Sequence, residues 1–233
     1  KEGCVLVDAD YSQIELRVLA HIAEDSVMQN AFCTGADIHT TTAAQVFGVN
    51  PAEVTSLQRR HAKAVNFGIV YGISEFSLSE DIGVTRWEAR DYIDSYLANY
   101  RGVKNYMKKV VEDARECGYT QTLYGRRRYI PELKSSNYNV RQGAERMTLN
   151  TPIQGTAADI IKLAMIRTEK ALADADLKAK LILQVHDELV IETLESEVEA
   201  VKEILYHSMK DAAKLKVELE VDMHTGMTWY DAK

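Results

Sequence analysis

Two acidic stretches and one cationic stretch hold the residue types in this chain that could act on a phosphate ester. Residues 181–193 read Leu-Ile-Leu-Gln-Val, then His186-Asp187-Glu188, then Leu-Val-Ile-Glu-Thr. Two apolar strands therefore flank a polar tip, where Gly or Asn would be the usual turn formers. Adjacent carboxylates in so tight a turn repel each other, and a divalent cation relieves the repulsion. The same triplet also suits a plain solvated turn. Near the start, Asp8 and Asp10 alternate onto one face of an apolar strand. If the sheet sets Asp10 beside Asp187, the pair can hold two Mg²⁺ ions about 3.5–4 Å apart. Such a site makes a hydroxyl nucleophilic and neutralises a transferring phosphoryl group.

The cationic stretch runs from Gln58 to Gly72, QRRHAKAVNFGIVYG. Arg59, Lys63, Phe67 and Tyr71 are spaced four apart, so on a helix each step drifts only about 40°. One stripe then carries two cations followed by two rings. Cations match a phosphate tail, and rings match a sugar and base. The alternative is an amphipathic helix with rings toward the core and cations toward water.

These groups need elements to position them. The pattern predicts a strand at 4–9 and a helix from Tyr11 to Ala23 that opens near Ser12. Asp37 and Thr55 cap predicted helices at 38–47 and 56–71. Further helices are expected at 85–100 and 102–117, with Gly118 as the stop and a strand over Tyr119–Tyr124. A helix over 138–150 is expected to break at Pro152 and Gly155, and a second to run from Ala157 to Leu172. The last third reads strand (180–185), strand (189–193), helix (196–213) and strand (217–222). Strands at both ends with helices between predict an α+β fold whose terminal parts share one antiparallel sheet.

Composition excludes several classes. With 233 residues, 46% hydrophobic and 27% charged, and only 3 Pro, the chain is neither disordered nor of low complexity. No apolar run approaches the roughly 20 residues of a membrane span, and no signal peptide is visible, so no membrane partner and a cytoplasmic location are expected. Cys4, Cys33 and Cys117 are an odd set without a CxxC pair, which reads as reduced thiols. The start at Lys1 suggests a piece of something longer. The net charge of −7 is unevenly spread: residues 1–100 carry 7 basic against 14 acidic side chains, 101–170 carry 14 against 7, and 171–233 carry 7 against 14. A basic middle between acidic flanks suits a polyanion partner with acidic flanks free for metals, or a surface whose charge merely varies.

Taken in order, the motifs resemble the C-terminal polymerase part of bacterial family A DNA polymerases. Asp10-Tyr-Ser-Gln-Ile-Glu-Leu-Arg17, the Arg59…Lys63…Phe67-Gly…Tyr71-Gly72 helix and Val185-His-Asp-Glu188 carry the likeness. Asp37-Ile-His39, Gly125-Arg-Arg-Arg128 and Asn150-Thr-Pro-Ile-Gln-Gly-Thr-Ala-Ala-Asp159 support it, and it extends from Val5 to Trp229.

The resemblance implies template-directed DNA synthesis in replication and repair, with dNTPs and primer-template DNA as partners, by a monomer associated with the nucleoid. It implies a palm from residues 1–17 and 141–233 and fingers from 18–140, the thumb, proofreading and 5′-nuclease parts being absent from this stretch. Asp10 and Asp187 are the expected ligands of two Mg²⁺ ions, with Glu188 close by and Lys63 acting on the pyrophosphate. Arg59, Lys63 and His39 are expected at the triphosphate, Phe67 on the incoming nucleotide and Tyr71 at the template-side base pair. Gln13 and Glu15 follow the first metal ligand, Glu15 as the gate against a 2′-hydroxyl. Arg146, Asn150, Gln154 and His186 are expected at the primer-template. Asp8 departs from the small or apolar residue expected there; it is a solvent-facing accident or it alters metal affinity. A single-subunit RNA polymerase shares this architecture, but Glu15, Phe67 and Glu188 speak against it. A non-catalytic DNA-binding module is disfavoured by the intact Asp10, Lys63 and Asp187.

Overall fold

The computed structural model describes residues 1–232. Chain order is β1 (Cys4–Tyr11), α1 (Ile14–Ile22), α2 (Ser26–Cys33), α3 (Ile38–Phe47), α4 (Ser56–Val70), α5 (Glu75–Ile82), α6 (Arg86–Asn99) and α7 (Arg101–Cys117). A hairpin of β2 (Tyr119–Gln121) and β3 (Arg127–Tyr129) precedes the long helix α8 (Tyr138–Asp174). Then come β4 (Lys180–Val185), β5 (Glu188–Leu194), α9 (Val198–Lys210) and β6 (Val221–Gly226). Two compact units emerge, Lys1–Ile14 with the chain from Ala157 onward, and Glu15–Thr156. No helix among the described residues is long and apolar enough to cross a membrane.

The first unit is built on an antiparallel sheet of order β4-β5-β1-β6. Its apolar β-branched residues put β1 in the middle, with Val5, Val7, Ala9 and Tyr11 buried in alternation. Helix α9 packs against β1, β5 and β6 through Val201, Leu205 and Met209. The Tyr11 hydroxyl donates to the Met209 carbonyl at 2.7 Å, fixing the end of β1 to the end of that helix. The first strand runs two residues beyond the expected end. Gln13, at φ +55°, then breaks the chain before α1, which starts at Ile14 and not at Ser12. The last strand is displaced from the expected 217–222 to Val221–Gly226. Val217 and Leu219 are buried as irregular chain, and their alternation with Val221 imitates a strand. Pairing with β1 begins only at Tyr11 opposite Val221.

The second unit is helical apart from the β2–β3 hairpin. Asp37 caps α3 by accepting from the Thr40 N–H at 2.6 Å, and Thr55 with Gln58 forms a reciprocal capping box at the start of α4. Both helices lie where their caps predict. The short helices α2 and α5 carry side-chain caps from Asp25 and Ser74, but eight residues give too little periodicity to read.

The expected break between 150 and 157 does not occur. Pro152 lies inside the continuous α8. Proline cannot satisfy the Thr148 carbonyl one turn earlier, and the Thr120 hydroxyl of β2 donates to that carbonyl instead, at 3.5 Å. Gly155 is a close-approach residue: a Cβ there would meet Thr122 Cγ2 at 2.6 Å.

Candidate functional site

In the first unit the acidic residues converge. Antiparallel register sets Asp10 opposite Glu188, and the Tyr11 N–H donates to the Asp187 carbonyl at 3.2 Å. The β4–β5 turn is tighter than a three-residue tip, because Val185 pairs with Glu188 and leaves His186 and Asp187 as the corner. His186 takes φ +52°, a left-handed conformation that costs a non-glycine residue about 1 kcal/mol or more. The Gln184 side-chain amide steadies this corner by donating to the His186 carbonyl at 2.7 Å.

The Asp10 carboxyl is pushed up to about 7 by partial desolvation, by the charges of Asp187, Glu188 and Asp8, and by a hydrogen bond with Asp187. Asp10 keeps some solvent contact, and the crowding of like charges adds to the desolvation. Carboxyl groups crowded in this way suit a cation between them. Among the described residues no group of three or more His, Cys, Asp or Glu side chains forms a metal cluster. A hard pair of carboxylates suits Mg²⁺, which takes one or two carboxylates, keeps several waters and recruits substrate phosphates. Asp8 is 3% exposed; it is not solvent-facing, and it contributes negative potential at Asp10. Glu188 is 5% exposed and accepts a hydrogen bond from the Trp229 indole. The turn that delivers Trp229 folds tightly over Gly226, where a Cβ would meet the Ala232 backbone nitrogen at 2.6 Å.

In the second unit α4 buries Ala62, Val65, Asn66, Ile69 and Val70. Arg59 and Lys63 are exposed and Phe67 is half-buried, so the stripe lies on the open face. Tyr71 caps the helix, and its hydroxyl donates to Glu15 Oε2 at 2.8 Å. The Arg59 guanidinium grips Asp37 in two places, Nε to Oδ1 at 3.1 Å and Nη2 to Oδ2 at 2.6 Å. Burial pushes the Asp37 carboxyl up, but hydrogen bonds from Arg59 and Thr40 outweigh it and hold the group well below the usual carboxylate range.

His39 is buried, and Asn66 Nδ2 donates to its Nδ1 at 3.0 Å. Burial lowers the imidazole to about 4, with Arg59 and Lys63 adding to the effect against Asp37. It is therefore neutral at pH 7. Its ring centroid lies 5.8 Å from that of Phe67. Arg146 lines a cavity with Phe67, Tyr71 and Gly72. Asn150 Oδ1 is buried and has no hydrogen-bond partner among the described residues, while Gln154 and His186 are exposed.

The family model for DNA polymerase family A matches residues 1–231. The chain belongs to DNA polymerase family A. It is 52% identical over 233 residues to DNA polymerase I of Streptococcus pneumoniae serotype 4, covering all of this chain and 27% of that protein. It is 56% identical over 225 residues to DNA polymerase I of Bacillus subtilis strain 168, covering 97% of this chain and 26% of the relative. A solved structure described as the POL domain of Pol1 from M. smegmatis in complex with DNA primer-template and dNTP superposes with a TM-score of 0.95. That match has 45% identity and covers 100% of this chain and 41% of the other. The chain thus spans about a quarter of the length of these curated relatives.

Within this family A chain, four participants escape a reading of spacing. Asp37 reads as a cap and nothing in the sequence marks it as the partner of Arg59, 22 positions away. Thr42 and Asn66 sit among apolar neighbours with no motif to flag them. Trp229 reaches Glu188 across 41 positions, and only the fold reveals that contact.

Proposed function

We propose that this chain carries the nucleotidyl-transfer centre of a DNA polymerase, in which a primer 3′-hydroxyl attacks the α-phosphate of a dNTP and pyrophosphate leaves. The crowding of Asp10 against Asp187 is the observation that carries the reading. Asp10 and Asp187 would hold two Mg²⁺ ions, with Glu188 close by. Held there, the ions would supply a lowered pKa for the hydroxyl and neutralisation of charge on the phosphoryl group.

The chain's own residues do the rest. Arg59 exchanges its carboxylate partner for phosphate oxygens, and neutral His39 offers them a hydrogen bond. Lys63 neutralises or protonates the departing pyrophosphate. Phe67 stacks on the incoming nucleotide, and Tyr71 guards the template-side pair. Gln13 and Glu15 follow the first carboxylate, and Glu15, oriented by the Tyr71 hydroxyl, excludes a 2′-hydroxyl and favours DNA over RNA as product. Arg146, Asn150, Gln154 and His186 contact the primer-template, in keeping with the basic balance of residues 101–170. Residues 1–17 and 141–233 act as palm and 18–140 as fingers. Duplex grip depends on many phosphate contacts, so this stretch alone is expected to extend primers weakly.

The test is single-turnover Mg²⁺-dependent nucleotide incorporation at high protein concentration. Asp187→Asn is expected to abolish incorporation while primer-template affinity, read by fluorescence anisotropy, stays within about twofold. Retained turnover would remove Asp187 from the centre.

A further inference from the structure

Behind the open face of α4 runs a line of buried polar side chains. Tyr100, Thr42 and Asn66 are each 0% exposed, and His39 is 2% exposed. The Tyr100 hydroxyl lies 2.9 Å from Thr42 Oγ1, Thr42 Oγ1 lies 3.1 Å from Asn66 Oδ1, and Asn66 Nδ2 lies 3.0 Å from His39 Nδ1. Helices α3 and α4 and the residue joining α6 to α7 supply the four groups.

The donors run in one direction. Asn66 Oδ1 only accepts, so Thr42 directs its single proton there, and Tyr100 must then donate to Thr42. The Asn66 amide nitrogen only donates, so His39 Nδ1 is bare and the imidazole proton sits on Nε2. Turning the Asn66 amide over would make it donate to Thr42 and leave one of the two hydroxyl protons, of Thr42 or of Tyr100, without an acceptor among the described residues. In a fully buried site that is costly. The low pKa of His39, about 4, agrees with a neutral ring.

We infer that the Tyr100–Thr42–Asn66 line locks His39 in its Nε2–H tautomer, so that the imidazole meets a triphosphate as a neutral hydrogen-bond donor. The inference rests on the proposed role of His39 at the triphosphate. Thr42, Asn66 and Tyr100 are positioning residues: they touch no substrate and act through His39. Arg59 and Lys63 then supply the positive charge, and His39 supplies direction.

The experiment is ¹⁵N NMR of the His39 ring in the full chain, free and titrated with inorganic tripolyphosphate. In the unmodified chain the spectrum is expected to show bare Nδ1 and protonated Nε2, with Nε2 moving on titration. Thr42→Val keeps the branched shape and deletes the link; it is expected to shift population to the Nδ1–H tautomer and weaken tripolyphosphate binding roughly 3- to 10-fold. Thr42→Ser keeps the hydroxyl and is expected to retain tautomer and affinity. A packing role would give the opposite order, with Val silent and Ser impaired, and would overturn the inference. Should Thr42→Val fail to fold, Asn66→Asp offers only acceptors to Nδ1 and is expected to draw the proton there; a ring that keeps Nδ1 bare in that folded variant overturns the inference equally. An Nε2 signal indifferent to tripolyphosphate in the unmodified chain overturns the triphosphate role of His39 and the inference with it. A responsive Nε2 whose tautomer ignores both substitutions overturns the inference alone.

Discussion

Tyr71→Phe deletes one oxygen and leaves the ring in place, which isolates the hydrogen bond to Glu15. In the folded chain that bond measures 2.8 Å from the Tyr71 hydroxyl to Glu15 Oε2. A hydrogen bond to an ionised group is worth about 1.5–3 kcal/mol. Tyr71 is 38% exposed, so water replaces part of it, and about 1 kcal/mol is the expected loss. If Glu15 is the barrier to a 2′-hydroxyl, loosening it by that amount should lower discrimination between dNTP and rNTP by about fivefold. Glu15→Ala removes the barrier itself and should lower discrimination far more. The assay is single-turnover incorporation of dATP and ATP opposite the same template base, comparing the ratio of rate constant to dissociation constant. Unchanged discrimination in Tyr71→Phe beside a large drop in Glu15→Ala would show that the hydrogen bond does not position the carboxylate. Unchanged discrimination in both would remove Glu15 from sugar selection.

Phe67→Tyr is expected to ease acceptance of dideoxynucleotides, because the new hydroxyl can replace the missing 3′ one; an unaltered ratio of dideoxy to deoxy incorporation would place Phe67 away from the sugar. Asp37 should separate capping from ion pairing. Asp37→Asn keeps a good cap and loses the exposed pair, for less than about 1 kcal/mol, whereas Asp37→Ala loses both, about 1–2 kcal/mol, read by thermal melting. Folding lowers the Asp37 pKa, so its contribution is complete above the ordinary value of 3.8 and is lost as pH falls through the lower native value. The gap between the unmodified chain and Asp37→Ala should therefore be constant from pH 5 to 7 and narrow only in strong acid; a gap that closes near pH 5 would contradict the shift.

Local rules made much of the fold legible. Asp37 and Thr55 mark the starts of α3 and α4 because their side chains accept from the third residue on, and Gly118 marks the end of α7 because it alone takes φ +83° there without strain. The failures were tertiary. Pro152 breaks an isolated helix, but a hydroxyl from β2 repairs the orphaned carbonyl. Val217 and Leu219 alternate like a strand, yet pairing with β1 starts only at Val221. In the site, the four-residue spacing of Arg59, Lys63, Phe67 and Tyr71 is written in the chain, whereas the approach of Asp10 to Asp187 is a matter of strand register that no local pattern encodes. Thr42 and Asn66 in the second unit and Trp229 in the first make hydrogen bonds spanning 24 to 41 positions; burial makes Thr42 and Asn66 resemble ordinary core, and no local pattern points Trp229 at Glu188.

That Asp10 and Asp187 share a divalent cation is tested most directly by ¹³C NMR titration of the Asp10 carboxyl with and without Mg²⁺. Without metal it should titrate near 7, because partial desolvation and the neighbouring carboxylates favour its protonated form. Saturating Mg²⁺ should drive it below the ordinary carboxylate value of 3.8. A carboxyl that titrates near 4 in both conditions, indifferent to Mg²⁺, would contradict the assignment.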